Sequence, residues 1–234
     1  MDFSRVAALT AGIGISISTA HVAQAAFVMT LDDLSTAGVD VILSDGLGVG
    51  GTTSVGSTTA ADVAMDGFIN FNGGVGSFTV NVVTGVSDPL VGPGKLNLNS
   101  LNVSGAAGNL VIGLTDTDYI GAVPAYTANF GGNTTGSVDF NFLHDATNNE
   151  FGGISVLDPA PIANVNPFSG SGTSAVGTGS PYSLTIEAAI SHTAAGQTSS
   201  FDAHLVPVAI PVPTAVWLFG SGLLGMVAVC RRRS

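Results

Sequence analysis

The sequence predicts an all-β protein, an antiparallel β-sandwich of the jelly-roll type, with an N-terminal signal segment and a single C-terminal transmembrane helix. Three observations predict it. Residues 26–208 contain only two Glu, one Lys, one Gln and no Arg. These are the residue types that the solvent-exposed face of a helix normally carries, so their scarcity argues against helices. Short apolar stretches alternate with Thr, Ser, Asn and Asp at a period near two. Both ends of the chain are apolar and carry almost all of the basic residues.

The first 25 residues are predicted to be a signal peptide. Arg5 stands near the start, an apolar stretch runs over 6–20, and Ala23 and Ala25 flank Gln24. Small residues at the first and third positions of such a triplet suit signal peptidase, which would place the mature start near residue 26.

The strands of the body are predicted from period-two alternation. Val138, Phe140 and Phe142 share one face, and Asp139 and Asn141 share the other. Similar patterns occur in 76–85, 95–105 and 182–192, and further strand candidates are 27–31, 39–43, 67–71, 110–115, 125–130 and 200–205. In 95–105 the alternation slips by one residue between Leu98 and Leu101, which predicts a bulge or a bend between two sheets. About ten short strands favour a sandwich or jelly roll over residues 26–208.

Two Gly-, Ser-, Thr- and Pro-rich stretches, 44–61 and 158–181, show little periodicity and are predicted to be long loops. The lone cysteine, Cys230, excludes an internal disulfide, so packing alone must stabilise the body.

The body is strongly acidic. Between Arg5 and the C-terminal arginines, fifteen acidic residues face only Lys95, a net charge of −14. Nucleic-acid binding is excluded, because it requires clustered Lys or Arg to neutralise phosphates. The acidity indicates solubility for an exported protein, or affinity for divalent cations or cationic partners.

No catalytic motif is present. A Gly-x-Ser-x-Gly nucleophile elbow does not occur, and His144, His192 and His204 share no metal-ligand spacing. With one Lys and two Glu in the body, few groups are available for acid–base chemistry, so an enzyme is not predicted. A carboxylate pair for glycoside hydrolysis stays open at this point, because fifteen acids allow many pairs.

Asp116 and Asp118 are weak candidate metal ligands. Two carboxylates two residues apart lie on one face of a strand, or line a loop, and carboxylate oxygens suit Ca²⁺. The segment lacks the Gly and the distal Glu of an EF-hand loop, and a solvent-facing strand end is the alternative explanation. No other cofactor is predicted.

The C-terminus is predicted to be a membrane-inserted signal. Residues 214–230 are seventeen uncharged residues, near the short limit for a transmembrane helix. Arg231, Arg232 and Arg233 follow and favour the cytoplasmic side, whereas Pro211 and Pro213 keep the preceding backbone extended. A plain anchor that no enzyme processes is the alternative.

The tail IPVPTAVWLFGSGLLGMVAVCRRR, residues 210–233, resembles the PEP-CTERM sorting signals of Gram-negative bacteria. The match covers about 24 residues, in the variant that reads V-P-x-P-x-x-x-W-L-F-G-S-G-L-L-G before the arginines. Val212 stands where the namesake form has Glu. The resemblance implies processing near the proline motif by an exosortase, after which the passenger is released or attached at the cell surface. The sorting residues are then Pro211, Val212, Pro213, Trp217, Gly220, Gly222, Arg231, Arg232 and Arg233.

Two functional hypotheses follow. The first is a non-catalytic protein of the cell surface or extracellular matrix, which the resemblance associates with exopolysaccharide and biofilm. Its partners would be signal peptidase, exosortase and, transiently, the inner membrane. The second is a carbohydrate- or Ca²⁺-binding module of the cell surface, with Asp116, Asp118, Tyr119 and Tyr126 as acidic and aromatic candidates.

Overall fold

The computed structural model describes residues 26–45, 48–50, 67–87, 94–121, 123–177 and 179–208, and these form fourteen strands in two antiparallel sheets. These residues contain no helix, and the all-β prediction is confirmed for them. The two sheets face each other across one hydrophobic core, as in a β-sandwich.

The larger sheet has eight strands in the order β10-β9-β13-β7-β1-β2-β3, with β11 also paired to β9. Their bounds are β1 Val28–Asp33, β2 Val41–Ser44, β3 Gly48–Gly50, β7 Gly108–Tyr119, β9 Ser137–Asp145, β10 Ile154–Leu157, β11 Ile162–Ala163 and β13 Tyr182–His192. The smaller sheet has six strands in the order β12-β8-β14-β6-β5-β4. Their bounds are β4 Phe68–Val75, β5 Phe78–Ser87, β6 Leu96–Gly105, β8 Ala125–Thr134, β12 Phe168–Ala175 and β14 Thr198–Pro207.

Period-two alternation produces the core, as the sequence predicts. In β9, Val138, Phe140 and Phe142 are buried, whereas Asp139 and Asn141 are half-buried on the outer face. Aromatic rings join the two sheets: the centroids of Phe130 in β8 and Phe140 in β9 lie 4.9 Å apart. Each fully buried Phe or Leu of this kind contributes about 1.5–3 kcal/mol by leaving water, so packing compensates for the absence of disulfides.

The slip predicted between Leu98 and Leu101 occurs as a β-bulge. Phe201 pairs with Leu101 and Ala203 with Leu98, so two steps along β14 match three steps along β6. The strand β6 stays in one sheet, and the alternative of a bend between two sheets is wrong.

The prediction of one long loop over 158–181 is wrong. The strand β12 lies within it and pairs with β8 along its whole length. Two of its inward positions, between Phe168 and Ser174, are Gly170 and Gly172. A Cβ there would meet the ring of Phe130 and the side chain of Leu157, respectively. Larger neighbours therefore fill the space, and the strand lacks the apolar alternation by which strands are recognised.

The signal-cleavage residues Ala23 and Ala25 and the whole tail 209–234 lie outside the described residues, as does most of the loop predicted over 44–61. Within the described ranges, no helix is long and apolar enough to cross a membrane.

Candidate functional site

A cleft of about 320 Å³ lies on the outer face of the larger sheet. We call it the acidic cleft; its lining residues are Val111, Asp139, Phe140, Asn141, Asp158, Glu187 and Ala189. Three adjacent strands, β9, β13 and β7, supply all of these except Asp158, which follows β10. The acidic cleft thus combines residues that are up to 78 positions apart in the sequence.

Strand register explains the shape of the acidic cleft. Ala189 pairs with Asp139 on one side and with Val111 on the other. Because outward side chains of directly paired residues stand side by side, the short methyl group of Ala189 leaves a depression between two larger neighbours. Two residues along, Glu187 pairs with Asn141. Asn141 Nδ2 donates a hydrogen bond to Glu187 Oε2 over 3.3 Å, which holds the two side chains together.

The acidic cleft contains hydrogen-bond acceptors that have no donor. Asp139 Oδ1 and Asn141 Oδ1 are buried oxygen atoms that accept no hydrogen bond. Burial, and then the negative charge of Asp158, raise the pKa of Asp139. If either side chain rotates toward the cleft, a ligand with hydroxyl or N–H groups would supply the missing donor, and an anionic ligand would be repelled.

Asp116, one of the two predicted metal ligands, lies in the core between the sheets. Ser87 Oγ donates to Asp116 Oδ2, and the amide of Thr117 donates to Asp116 Oδ1 over 2.8 Å. Ser87 Oγ also lies 2.6 Å from Tyr119 Oη, and Tyr119 Oη donates to the carbonyl oxygen of Lys95 over 3.1 Å. Burial raises the pKa of Asp116 to about 6, although the bonds from Ser87 and Thr117 lower it.

Asp118 makes different contacts from Asp116. A β-bulge lies between Asp116 and Tyr119, because two steps along β13 match three along β7, and Asp118 adopts φ 63°, so the period-two alternation is broken. Its side chain contacts Asn148 instead: Asn148 Nδ2 donates to Asp118 Oδ1 over 2.6 Å, and the Asp118 amide donates to Asn148 Oδ1 over 2.8 Å. The expectation that two carboxylates two apart share a face therefore does not describe this pair. No group of three or more His, Cys, Asp or Glu residues in the described ranges is arranged to hold a metal ion.

Tyr119 and Tyr126, the aromatic candidates, are fully buried and cannot contact an external ligand. Tyr126 Oη lies 2.7 Å from Tyr182 Oη and donates to the carbonyl oxygen of Gly94 over 3.0 Å. The imidazole of His144 stacks on Tyr182 with centroids 4.9 Å apart. These rings fasten the start of β6 to the core; a Cβ at Gly94 would lie 2.1 Å from the ring of Tyr119.

The three body histidines are separate, as their spacing predicts. His144 packs against the rings of Tyr126 and Tyr182. These two rings and that of Tyr119 are buried together, and we call the three the tyrosine cluster. His204 Nδ1 lies 3.0 Å from Asn97 Oδ1 on the smaller sheet. His192 Nε2 lies 3.1 Å from Ser199 Oγ at the opposite end of β13 from the tyrosine cluster. Burial lowers the pKa of both His144 and His192. The sorting residues lie outside the described residues.

No protein-family model and no curated protein matches the sequence. Several solved structures match part of this chain. The CBM22-1 xylan-binding domain of Paenibacillus barcinonensis Xyn10C is 15% identical, covering 68% of this chain and 100% of that domain, with a TM-score of 0.31. A structure titled "CBM4 structure and function" is 8% identical over 65% of this chain and 78% of that one, with a TM-score of 0.28. The enzymatically active domain of bacteriophage CBA120 tailspike protein 4 is 14% identical over 57% of this chain, with a TM-score of 0.30, and this chain covers 20% of its length. At these identities and TM-scores the likeness does not bear on function.

Proposed function

We propose that this is a non-catalytic polysaccharide-binding protein of the cell surface or extracellular matrix, and that its acidic cleft holds a neutral polysaccharide chain. The observation that carries the proposal is the pair of buried acceptors without donors, Asp139 Oδ1 and Asn141 Oδ1, in an open cleft. A buried acceptor without a donor costs about 1–3 kcal/mol. Once the two side chains rotate toward the cleft, the hydroxyl groups of a sugar would remove that cost by donating to both oxygens.

The composition of the acidic cleft favours a neutral, hydroxyl-rich ligand over an ion. Asp139, Asp158 and Glu187 repel anionic polymers. The apolar surfaces of Val111 and Ala189 complement the C–H groups of a sugar ring rather than a bare charge. A cationic peptide would also meet the carboxylates, but its binding would weaken steeply with salt, whereas hydroxyl contacts depend on salt only slightly.

The proposal assigns no catalysis to the carboxylates. Glu187 accepts the hydrogen bond of Asn141, so one of its oxygens holds a neighbouring side chain. Glycoside hydrolysis needs one carboxyl as acid and a second as nucleophile or base, one on each side of the scissile bond. Measurable release of reducing ends from the bound polysaccharide would contradict this part of the proposal.

Delivery is proposed from the terminal segments. The N-terminal 25 residues export the chain, and the segment 210–233, by its resemblance to PEP-CTERM sorting signals, brings it to an exosortase. A matrix location places the acidic cleft among extracellular polysaccharides.

The test is affinity electrophoresis of the full-length chain, in a polyoxyethylene detergent that carries no sugar, through gels containing exopolysaccharide from the source organism. Glu187→Ala removes a cleft carboxylate and the partner of Asn141, and is expected to weaken retention about tenfold, the effect of about 1.4 kcal/mol. The matched control is Glu150→Ala, which changes the other glutamate of the body, exposed on a loop. Equal retention of both variants, or retention abolished by moderate salt, would refute the assignment.

A further inference from the structure

The outer face of the smaller sheet carries a row of polar side chains that crosses five adjacent strands. We call it the amide row. Asn72 pairs with Asn81, Asn81 with Asn102, Asn102 with Ser200, and Ser200 with Asn133. The four asparagines are exposed and Ser200 is half-buried. At about 4.8 Å between strands, the row is about 19 Å long, enough for several sugar rings.

A second row crosses all six strands four to five residues further along them, about 13–17 Å from the amide row. It begins at the exposed ring of Phe68, which is 44% accessible, and continues through Val86, Asn97, His204, Asn129 and Ser171. His204 Nδ1 and Asn97 Oδ1, 3.0 Å apart, hold two members of the row in place. We call this the Phe68 row.

The chemistry of this face fits a neutral polysaccharide. Asn and Ser side chains both donate and accept hydrogen bonds, as sugar hydroxyls do. An aromatic ring at one end of the Phe68 row can pack on the C–H face of a sugar. The six strands of this sheet contain one charged residue, Asp202, and no Lys or Arg, so an anionic polymer would find no counter-charge.

A protein partner fits less well. The core of a protein–protein interface is apolar and rich in aromatic residues. Of the exposed large hydrophobic residues in the described ranges, Phe68 is on this face, whereas Leu34, Ile120, Ile154 and Val165 lie outside the strands of the smaller sheet.

We propose that the amide row and the Phe68 row together form a second polysaccharide-binding surface, and that one molecule thereby bridges two polysaccharide chains. The two sheets face each other across the core, so their outer faces point in opposite directions. The acidic cleft holds one chain and the smaller sheet holds the other. The bridging rests on the proposed function, because the acidic cleft is the other binding site; binding at the smaller sheet does not depend on it.

A bead assay tests the bridging. Exopolysaccharide from the source organism is coupled to beads, the full-length chain is added in polyoxyethylene detergent, and the same polysaccharide carrying a fluorescein label follows. The wild-type chain is expected to capture the labelled polysaccharide. Phe68→Ala combined with Asn81→Thr removes the aromatic ring and an amide, and capture should fall roughly tenfold or more, since only one site is left.

Further variants distinguish a loss of binding from a folding defect. Asn102→Thr with Asn133→Thr changes two exposed residues of the amide row and leaves Phe68 intact, and it should lose capture in the same way. Phe68→Trp keeps an aromatic ring and should retain capture. The matched control, Asn109→Thr, changes an exposed asparagine on the other sheet and should behave like the wild type.

The outcomes separate the two proposals. If both row variants capture like the wild type, the second surface is refuted, and the acidic cleft is unaffected. If the row variants no longer bind to the polysaccharide-coated beads and Glu187→Ala still does, the smaller sheet is the binding site, and the proposed role of the acidic cleft is refuted. If light scattering shows a dimer that the row variants abolish, a second copy of this chain occupies the face, and the inference is overturned.

Discussion

Replacing Asp116 with Asn is expected to stabilise the protein at neutral pH. Burial raises the pKa of Asp116 from 3.8 to about 6, so the folded protein holds a proton that the unfolded chain releases. The folded state therefore binds more protons between these values, and its stability falls as the pH rises from 3.8 to 6. Above pH 6 the ionised carboxylate costs about 3 kcal/mol, the product of the pKa change and 1.36 kcal/mol per unit.

The asparagine preserves the contacts that the protonated acid makes. Its oxygen can accept from the Thr117 amide, and its NH₂ can donate to Ser87 Oγ, which in turn can donate to Tyr119 Oη. Tyr119 then donates to the carbonyl oxygen of Lys95, so both hydroxyl protons have an acceptor. The second N–H of the buried amide gains none of these partners, which offsets part of the gain. We expect a gain of up to about 3 kcal/mol at pH 7, with a rise in Tm of about 2–4 °C per kcal/mol for a domain of this size.

The assay is urea unfolding of the wild-type and variant chains between pH 3.5 and 8. The stability difference should shrink to near zero as the pH falls to 3.8. Asp33→Asn is a control that should change stability in the opposite direction. Burial raises the pKa of Asp33, but the hydrogen bonds from Ser77 and Ser35 lower it by more, so the pKa of Asp33 lies below its usual value. That variant should be less stable than the wild type at neutral pH and approach it in acid.

A destabilised Asp116→Asn variant at pH 7, or a stability difference independent of pH, would refute this reasoning. Stabilisation of the wild type by Ca²⁺ that the variant loses would instead make Asp116 a metal ligand, as the sequence had suggested.

Three other predictions concern packing, acid stability and sorting. A Cβ on Gly132 would lie 2.1 Å from the carbonyl oxygen of Ser200, so Gly132→Ala should lower the free energy of unfolding, measured in urea, by about 2 kcal/mol or more. A Cβ on the neighbouring Gly131 would lie 3.4 Å from the nearest atom, the carbonyl oxygen of Phe168, so Gly131→Ala should be near neutral. Equal effects of the two substitutions would contradict the packing. Burial lowers the pKa of His192, so its protonation opposes folding as the pH falls below 6.5. His192→Phe should flatten that loss in thermal melts; an unchanged slope would argue against it. Mass spectrometry of the mature protein should find a C-terminus near the proline motif at 211–213, whereas an intact tail would indicate a plain anchor.

Local pattern predicts much of the fold. The alternation of Phe140 with Asp139 and Asn141 identifies β9 and the face to which each residue points, because a strand exposes every second residue. The slip in 95–105 likewise locates the bulge of β6. The strand β12 is not recognised in the sequence because two of its inward positions are glycines. Backbone pairing with β8 and neighbours that fill the space stabilise it.

The acidic cleft could not be predicted in the same way. Asp139 and Glu187 come together only because β9 pairs with β13 in one particular register. In that register Asn141 lies beside Glu187, which is 46 residues further along the chain. Alternation identifies outward residues but not their neighbours across strands. The different contacts of Asp116 and Asp118 accompany a bulge in β7 and a positive φ at Asp118, and neither leaves a signal in the residue types.

Carboxylate footprinting tests the central claim most directly. A water-soluble carbodiimide with glycine ethyl ester labels accessible carboxylates of the full-length chain, and mass spectrometry reports each residue with and without exopolysaccharide from the source organism. Polysaccharide in the acidic cleft should protect Asp158 and Glu187 and leave Glu150 labelled as before. Equal labelling of all three in both conditions would contradict the account.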